Sequence, residues 1–297
     1  MTESEIGARL LARARAIGAR SLAVVGTSKN AGKSVTVNAI CAALRDEGTT
    51  FGLASTGRDG EAYDVVEAIP KPRFRLDAGT LVATAEALLQ RREPVEILER
   101  TGERGALGEI VIARVAAPGF FEVSGAAHSA AMRRIVARLA ERTAFVVLDG
   151  AVDRIAALRR EDAIVVAVGA TAPAMEVAVG EGRGLVARLR VALVDAERPA
   201  LRVDGALTRE AAEAFARDGE RRQIVVADPT KIAFGGDDFV RIAAQLDLRC
   251  EHPLHPVACT VAPRGPRYRF EPAAFLHAVA EATGLPAYDV YAGAEAM

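Results

Sequence analysis

Hydrophobic and polar positions alternate along the chain in blocks that predict strands and helices in turn. Short apolar runs are typical of buried strands, and longer stretches with an apolar residue every three or four positions are typical of helices. Strands are predicted at 21–25, 51–56, 94–99, 108–115, 119–124, 144–148, 163–168, 191–194, 223–227 and 256–262. Helices are predicted within 1–20 and at 32–47, 79–91, 127–141, 174–190, 208–218, 237–246 and 272–283.

This alternation indicates βαβ units and an α/β fold, with a mainly parallel β-sheet and helices on both faces in three layers (α/β/α). The less regular region 93–124 is where we expect an antiparallel edge or a small hairpin. A chain of 297 residues can bury its core as one large domain or two modest ones. Because the pattern breaks near Pro199, we expect a first domain over 1–190. The second part, 191–297, completes the sheet or forms a subdomain.

Composition narrows the class of protein. A net charge of −1 offers no electrostatic footprint for nucleic acid. The charged start of the chain lacks the apolar centre of a signal peptide, and no apolar run approaches the roughly 20 residues that span a bilayer. Three cysteines do not suggest a disulfide framework. We therefore expect a cytoplasmic enzyme with neither a nucleic-acid nor a membrane partner.

The strongest chemical signal is the stretch SLAVVGTSKNAGKSVT at residues 21–36. An apolar strand leads into a glycine-flanked loop and then into a helical pattern. Gly26 and Gly32 let the backbone curl so that its N–H groups point at anionic oxygens, and the helix adds the positive end of its dipole. Lys33 would reach the β- and γ-phosphates of a nucleotide, and the Ser34 hydroxyl would ligate Mg²⁺. The predicted nucleotide-binding residues are Gly26, Thr27, Ser28, Lys29, Asn30, Ala31, Gly32, Lys33, Ser34 and Val35.

Lysine is rare in this chain, since only four of its 38 basic residues are lysines. A lysine in so arginine-rich a chain indicates a need for its compact ammonium group. Lys29 and Lys33 both fall in the glycine-flanked loop. Lys29 is either a second phosphate contact or a solvated loop residue, and Lys231, after another predicted strand, is a second place to look.

Asp149 follows the strongest predicted strand, 144–148. Open α/β sheets bind their ligands at the carboxyl ends of their strands. A carboxylate there holds Mg²⁺ directly or through water. Asp149 is therefore predicted, with Lys33, to be catalytic and, with Ser34, to hold Mg²⁺. The alternative is an aspartate that only begins a turn.

Residues 56–61 (TGRDGE) follow the second predicted strand. In this topology they lie beside the phosphate loop. Asp59 is therefore predicted to be catalytic, within a segment that senses the γ-phosphate and Mg²⁺. The alternative is an ordinary solvated loop.

Two further clusters carry weaker signals. Cys250, His252, His255 and Cys259 suit Zn²⁺ in kind, but their spacing is unusual. Cys259 also fits a strand in which a buried thiol packs as a small hydrophobe. Residues 124–128 end a strand and open a helix, where backbone donors could bind an anion.

The loop, with five residues between Gly26 and Gly32, resembles that of dethiobiotin synthetase and the cobyric and cobyrinic acid synthetases. In that group an apolar strand precedes Glu-Gly-Ala-Gly-Gly, which the Asp-Gly-Ala at 149–151 matches with aspartate for glutamate. Many dimeric members of the larger class carry a signature lysine where this chain has Ser28. The resemblance implies a P-loop NTPase fold, ATP and Mg²⁺ as cofactors and, by class analogy, a homodimer.

Two functions stay open. One is an ATPase whose hydrolysis drives a conformational switch that services a partner enzyme. The other is a ligase or kinase that phosphorylates a small carboxylic acid, as the dethiobiotin and cobyrinate enzymes do. Residues 55–61, 79–85 and 148–154 are also similar to accessory ATPases that reactivate B12-dependent aminomutases, which implies such a partner. Because the substrate lysine of dethiobiotin synthetase is missing after the second strand, we favour the first function.

Overall fold

The computed structural model describes residues 1–57, 73–89, 94–150 and 162–292. The chain forms two compact units. The first holds Met1–Gly26, Gly32–Arg159 and Val290–Met297, and the second holds Thr27–Ala31 and Arg160–Asp289. The loop segment 27–31 therefore packs with the second unit, although the strand before it and the helix after it belong to the first. The division into domains 1–190 and 191–297 stays a prediction.

The sheet of the first unit is mainly parallel. Its described strands are β1 (Ser21–Gly26), β2 (Phe51–Ser55), β4 (Leu81–Ala85), β5 (Val95–Gly105), β6 (Gly108–Val115) and β8 (Phe145–Asp149), and β3 (Phe74–Leu76) pairs with β7 (Gly119–Phe121) in a separate ribbon. The order in the sheet is β1-β8-β2-β4-β6-β5. Strands β1, β8, β2 and β4 run parallel, whereas β6 pairs antiparallel with both of its neighbours, β4 and β5. The antiparallel edge expected within 93–124 is confirmed.

Three described helices belong to this unit: α1 (Glu3–Ala16), α2 (Lys33–Asp46) and α3 (Ser129–Arg142). Helix α1 begins at a capping box in which Thr2 and Glu5 bond each other's backbone. Its apolar face is buried, as the sequence pattern predicts. It packs on α2 so closely that a Cβ on Gly7 would lie 1.9 Å from the Ala39 carbonyl oxygen. A glycine is therefore required at this crossing.

The predicted helix over 79–91 is wrong. Leu81–Ala85 is the buried strand β4, and Glu86–Leu88 forms a single 3₁₀ turn. Alanine, leucine and glutamate favour helix locally. Here β4 lies between β2 and β6 with every side chain buried, so sheet pairing outweighs local propensity.

The second unit contains two parallel sheets. One has the order β15-β14-β9, and the other has the order β10-β13-β12-β11. The strands are β9 (Ala163–Gly169), β10 (Ala192–Leu193), β11 (Ala200–Arg202), β12 (Gln223–Val226), β13 (Leu248–Cys250), β14 (His255–Ala262) and β15 (Ala287–Asp289). The helices are α4 (Met175–Leu189), α5 (Arg209–Arg217), α6 (Gly236–Ala243) and α7 (Pro272–Thr283). A core of aliphatic side chains with Phe234 and Phe239 covers the sheet that contains β12.

The fold is therefore α/β, with mainly parallel sheets and helices, as the alternating pattern predicts. Among the described helices, none combines the length and the apolar character needed to cross a membrane.

Candidate functional site

The glycine-flanked loop joins the end of β1 to the start of α2. Gly32 is the residue before α2 and has φ 91°, while Asn30 has φ 62°. Both values lie in the left-handed region, which glycine and asparagine tolerate best. Helix α2 has neither a side-chain cap nor an acidic residue in its first turn. Its positive end is thus built without an internal anion, which favours an external one.

The side chain of Lys33 folds back over the end of β1. A Cβ built on Gly26 would lie 2.9 Å from Cγ of Lys33 and 3.1 Å from its Nζ. Any side chain at position 26 would therefore displace the lysine. The same ammonium acts on Asp149, where its charge lowers the pKa of the carboxyl group.

Asp149 ends β8, the strand between β1 and β2, and is half-buried. It stands level with Val24 on one side and with Ser55 on the other. The Ser55 hydroxyl donates to Oδ2 of Asp149 at 3.1 Å. Burial raises the pKa of Asp149 above its ordinary value; the Ser55 hydrogen bond and the Lys33 charge offset only part of this rise. The carboxylate is thus held at the carboxyl edge of the sheet, next to a cation.

Gly150 lets the chain turn away directly after Asp149. Its N–H donates to the Val24 carbonyl oxygen at 2.8 Å. A Cβ at this position would lie 2.8 Å from the same oxygen, so a side chain would force the two strands apart. The Asp-Gly pair therefore combines a carboxylate with a tight strand end.

Ser55, which sequence reasoning did not select as a site residue, lies at the centre of a hydrogen-bond chain. Its Oγ accepts from the Gly57 N–H at 3.0 Å while donating to Asp149. The Thr56 N–H donates to the Asp149 carbonyl oxygen at 2.8 Å. The available signal for Ser55 was its polar side chain at the end of an apolar strand. That strand pairs with the strand of Asp149.

Segment 124–128 supports this edge of the sheet. The Gly125 N–H donates to the Gly57 carbonyl oxygen at 2.7 Å, and the Ala127 N–H donates to that of Arg104 at 2.9 Å. A Cβ on Gly125 would lie 1.9 Å from the Ser55 carbonyl oxygen. These two backbone donors are used within the protein, which argues against the anion site considered for this segment.

In the second unit, the end of β9 supports the loop segment 27–31. The Thr27 N–H donates to the Ala167 carbonyl oxygen at 3.0 Å, and the Ser28 hydroxyl donates to Thr171 Oγ1 at 2.9 Å. A Cβ on Gly169 would lie 2.6 Å from Cα of Ala31. Sequence reasoning missed this support because the residues concerned are small and carry no charge.

The predicted site residues thus fall into three groups. Gly26, Gly32, Lys33, Ser34 and Val35 lie at the end of β1 and the start of α2, and Asp149 lies near Lys33. Residues 27–31 form the loop, in which the Lys29 side chain is exposed. The predicted catalytic Asp59 lies outside the described residues.

The oxygens of Ser34 and Asp149 suit Mg²⁺ in kind, because this hard cation prefers hydroxyl, carboxylate and water ligands. A carboxylate whose burial raises its pKa, but which a neighbouring hydroxyl and ammonium help to ionise, is also typical of a functional position. The donor set therefore fits the predicted cation.

The cysteines of the possible zinc cluster lie in different sheets. Cys250 in β13 donates to the Val191 carbonyl oxygen at 3.2 Å, and Sγ of Cys259 in β14 lies 3.6 Å from Thr283 Oγ1. Burial raises the pKa of each thiol to about 11. Within the part of the chain that the structure describes, no three His, Cys, Asp or Glu residues are grouped to hold a metal ion. Both thiols pack as small hydrophobes.

No protein-family model matches the chain, and no curated protein or solved structure matches it significantly.

Proposed function

We propose that this protein binds Mg²⁺-ATP at residues 26–35 and hydrolyses it, and that it uses this cycle as an accessory or reactivating factor for a partner enzyme. One observation carries the proposal. Lys33 lies across Gly26 at the end of β1 and acts electrostatically on Asp149 at the end of the adjacent strand. This arrangement joins a phosphate-binding cation to a metal-binding carboxylate at one edge of the sheet.

The residues divide the work between binding and charge stabilisation. The curled backbone and the start of α2 would bind the phosphate oxygens through N–H groups. Lys33 would stabilise the negative charge of the β- and γ-phosphates, while Ser34 and Asp149 would hold the cation. In hydrolysis, water attacks the γ-phosphorus, the bond between that phosphorus and the bridging oxygen breaks, and ADP leaves. Bound Mg²⁺ supplies additional neutralisation of the phosphate charge.

Two features support a partner-directed role over the activation of a small acid. The segment 55–61, which begins with the last residue of β2, contains no lysine to handle a carboxylic substrate. Its described part, 55–57, is instead bonded to Asp149 and to Gly125. A change at the nucleotide site would therefore reach the surrounding chain.

A B12-dependent aminomutase is the partner that we propose on resemblance; the cytoplasmic location and the homodimer stay predictions.

The test combines binding with turnover. We expect calorimetry to show ATP binding that tightens with Mg²⁺, and steady-state assays to show slow basal hydrolysis that a candidate aminomutase accelerates. The same assays with small carboxylic acids address the ligase or kinase function. Rapid turnover with an acid alone would exclude the accessory role, and absence of nucleotide binding would exclude the whole proposal.

A further inference from the structure

The chain Gly57–Ser55–Asp149 has a defined direction. A hydroxyl carries one proton, and Oγ of Ser55 accepts the Gly57 N–H at 3.0 Å while it donates that proton to Oδ2 of Asp149 at 3.1 Å. An ionised carboxylate can only accept. The hydrogen bond therefore restrains the orientation of the carboxylate about its last rotatable bond.

The backbone around Ser55 is fixed from two sides. The Thr56 N–H bonds the Asp149 carbonyl oxygen, and the Gly57 carbonyl oxygen accepts from Gly125. Ser55 itself is 2% exposed, and Gly125 approaches its carbonyl oxygen too closely to allow a side chain. The hydroxyl thus has little freedom to adopt another arrangement.

We propose that Ser55 is a positioning residue for the metal site: its hydroxyl engages Oδ2 of Asp149 and leaves Oδ1 for the cation or its water. This inference rests on the proposed function and deepens it. Partners that orient a metal-binding carboxylate matter because their loss typically lowers metal affinity about 10–100-fold.

The test uses the full chain with Mn²⁺ as the metal probe and a non-hydrolysable ATP analogue. Electron paramagnetic resonance measures Mn²⁺ affinity in the protein–nucleotide complex, and calorimetry in EDTA measures nucleotide affinity without metal. For Ser55→Ala we expect Mn²⁺ affinity to fall about tenfold or more, with metal-free nucleotide affinity unchanged. Ser55→Thr, which keeps a hydroxyl, should restore Mn²⁺ binding.

Ser21→Ala is the matched control. Ser21 is 1% exposed and begins β1, at the opposite end of the strand from Gly26. The substitution Ser21→Ala therefore removes a strand hydroxyl that is as buried as that of Ser55, and it should leave Mn²⁺ affinity unchanged.

The outcomes separate the two proposals. If wild type shows metal-dependent nucleotide binding and Ser55→Ala binds Mn²⁺ equally well, the positioning role is overturned and the proposed function stands. The positioning role is also overturned if Ser21→Ala has the same effect, or if a folded Ser55→Thr variant fails to recover binding. A wild-type protein that binds no nucleotide overturns both.

Discussion

Lys33 and Gly26 are separated by a loop but meet in space. The ammonium nitrogen of Lys33 comes within 3.1 Å of the position that a Cβ on Gly26 would take, and Cγ comes within 2.9 Å. The bare backbone at the end of β1 thus forms the surface on which the lysine side chain lies. The glycine at this position is required for the placement of the lysine.

Replacing Gly26 by alanine should therefore impair nucleotide binding while leaving the fold intact. The added methyl group pushes Lys33 from its place, and a charge-assisted hydrogen bond is worth about 1.5–3 kcal/mol, so affinity should fall about 10–100-fold. Calorimetric titration with Mg²⁺-ATP measures this. Gly235→Ala is the control, because Gly235 has an extended φ of −155° and a Cβ there would lie 3.8 Å from Nη1 of Arg188, an ordinary van der Waals distance. Equal affinities in wild type and Gly26→Ala would contradict the expectation.

Replacing Lys33 by alanine should abolish detectable ATP binding, since the ammonium that compensates the β- and γ-phosphates is lost. Lys231→Ala serves as the control, because Lys231 is an exposed lysine in the second unit. Fluorescent-nucleotide titration compares the nucleotide affinities of the two variants, and equal melting temperatures show that both are folded. Wild-type affinity in Lys33→Ala would show that the loop assignment is wrong.

Much of the fold follows from local pattern. The sequence predicts a helix at 272–283, and α7 lies at Pro272–Thr283. The helix can be located from the sequence because its apolar period and the Gly284 that ends it are local signals. Strand β4 is harder to find in this way, since three of its five residues are leucine or alanine, which favour a helix, and only Val82 and Thr84 are β-branched. Only the place of Leu81–Ala85 between β2 and β6 makes these residues a strand.

The same division applies to the candidate site. The loop glycines and Lys33 can be located from spacing, because phosphate binding imposes a fixed order on neighbouring residues. Ser55 and Gly169 cannot, since their importance depends on what lies opposite them. Ser55 faces Asp149 across two parallel strands, and Gly169 faces Ala31 across a long interval of sequence. Such pairings are set by the sheet and leave no local motif.

Replacing Asp149 by asparagine should raise the melting temperature of the protein and lower its rate of hydrolysis. Because burial raises the pKa of Asp149 above its ordinary value, this carboxyl group is harder to ionise in the folded protein than in the unfolded chain, and its ionisation costs stability as pH rises above that ordinary value. In the absence of nucleotide and Mg²⁺, the neutral asparagine should therefore raise the melting temperature at pH 7. This gain should shrink as pH falls and wild type becomes protonated. Mg²⁺-dependent hydrolysis should fall about 100-fold or more while nucleotide binding persists.

Thermal melts across pH and a phosphate-release assay measure both effects of this change. Asp204→Asn, at an exposed position in the loop between β11 and α5, should alter neither. A destabilised Asp149→Asn at pH 7, or one with undiminished hydrolysis, would count against the assigned role.

Gly169→Ala should weaken nucleotide binding although Gly169 is not a predicted binding residue. Its Cβ would lie 2.6 Å from Cα of Ala31, so the loop must move, and overpacking of this kind costs about 1–3 kcal/mol. We expect a lower melting temperature together with reduced affinity for Mg²⁺-ATP. Gly180→Ala is the control, since the atom nearest to its Cβ would be Oδ1 of the exposed Asp237 carboxylate, at 3.3 Å, rather than backbone. Unchanged affinity in Gly169→Ala would show that the end of β9 does not support the loop.

The three cysteines should be chemically silent in the native protein. All are buried, and desolvation raises the pKa to about 12 for Cys41 and to about 11 for Cys250 and Cys259. Because the thiolate is the reactive form, a disulfide reagent at pH 8 should label none of them until the protein is unfolded in guanidinium, when all three should react. Elemental analysis should find no stoichiometric zinc, because Cys250 and Cys259 lie in different sheets. Their thiols are directed to Val191 and Thr283, respectively. One zinc per chain would instead establish the metal cluster, if a chelator releases the zinc and the thiols then react rapidly with the disulfide reagent.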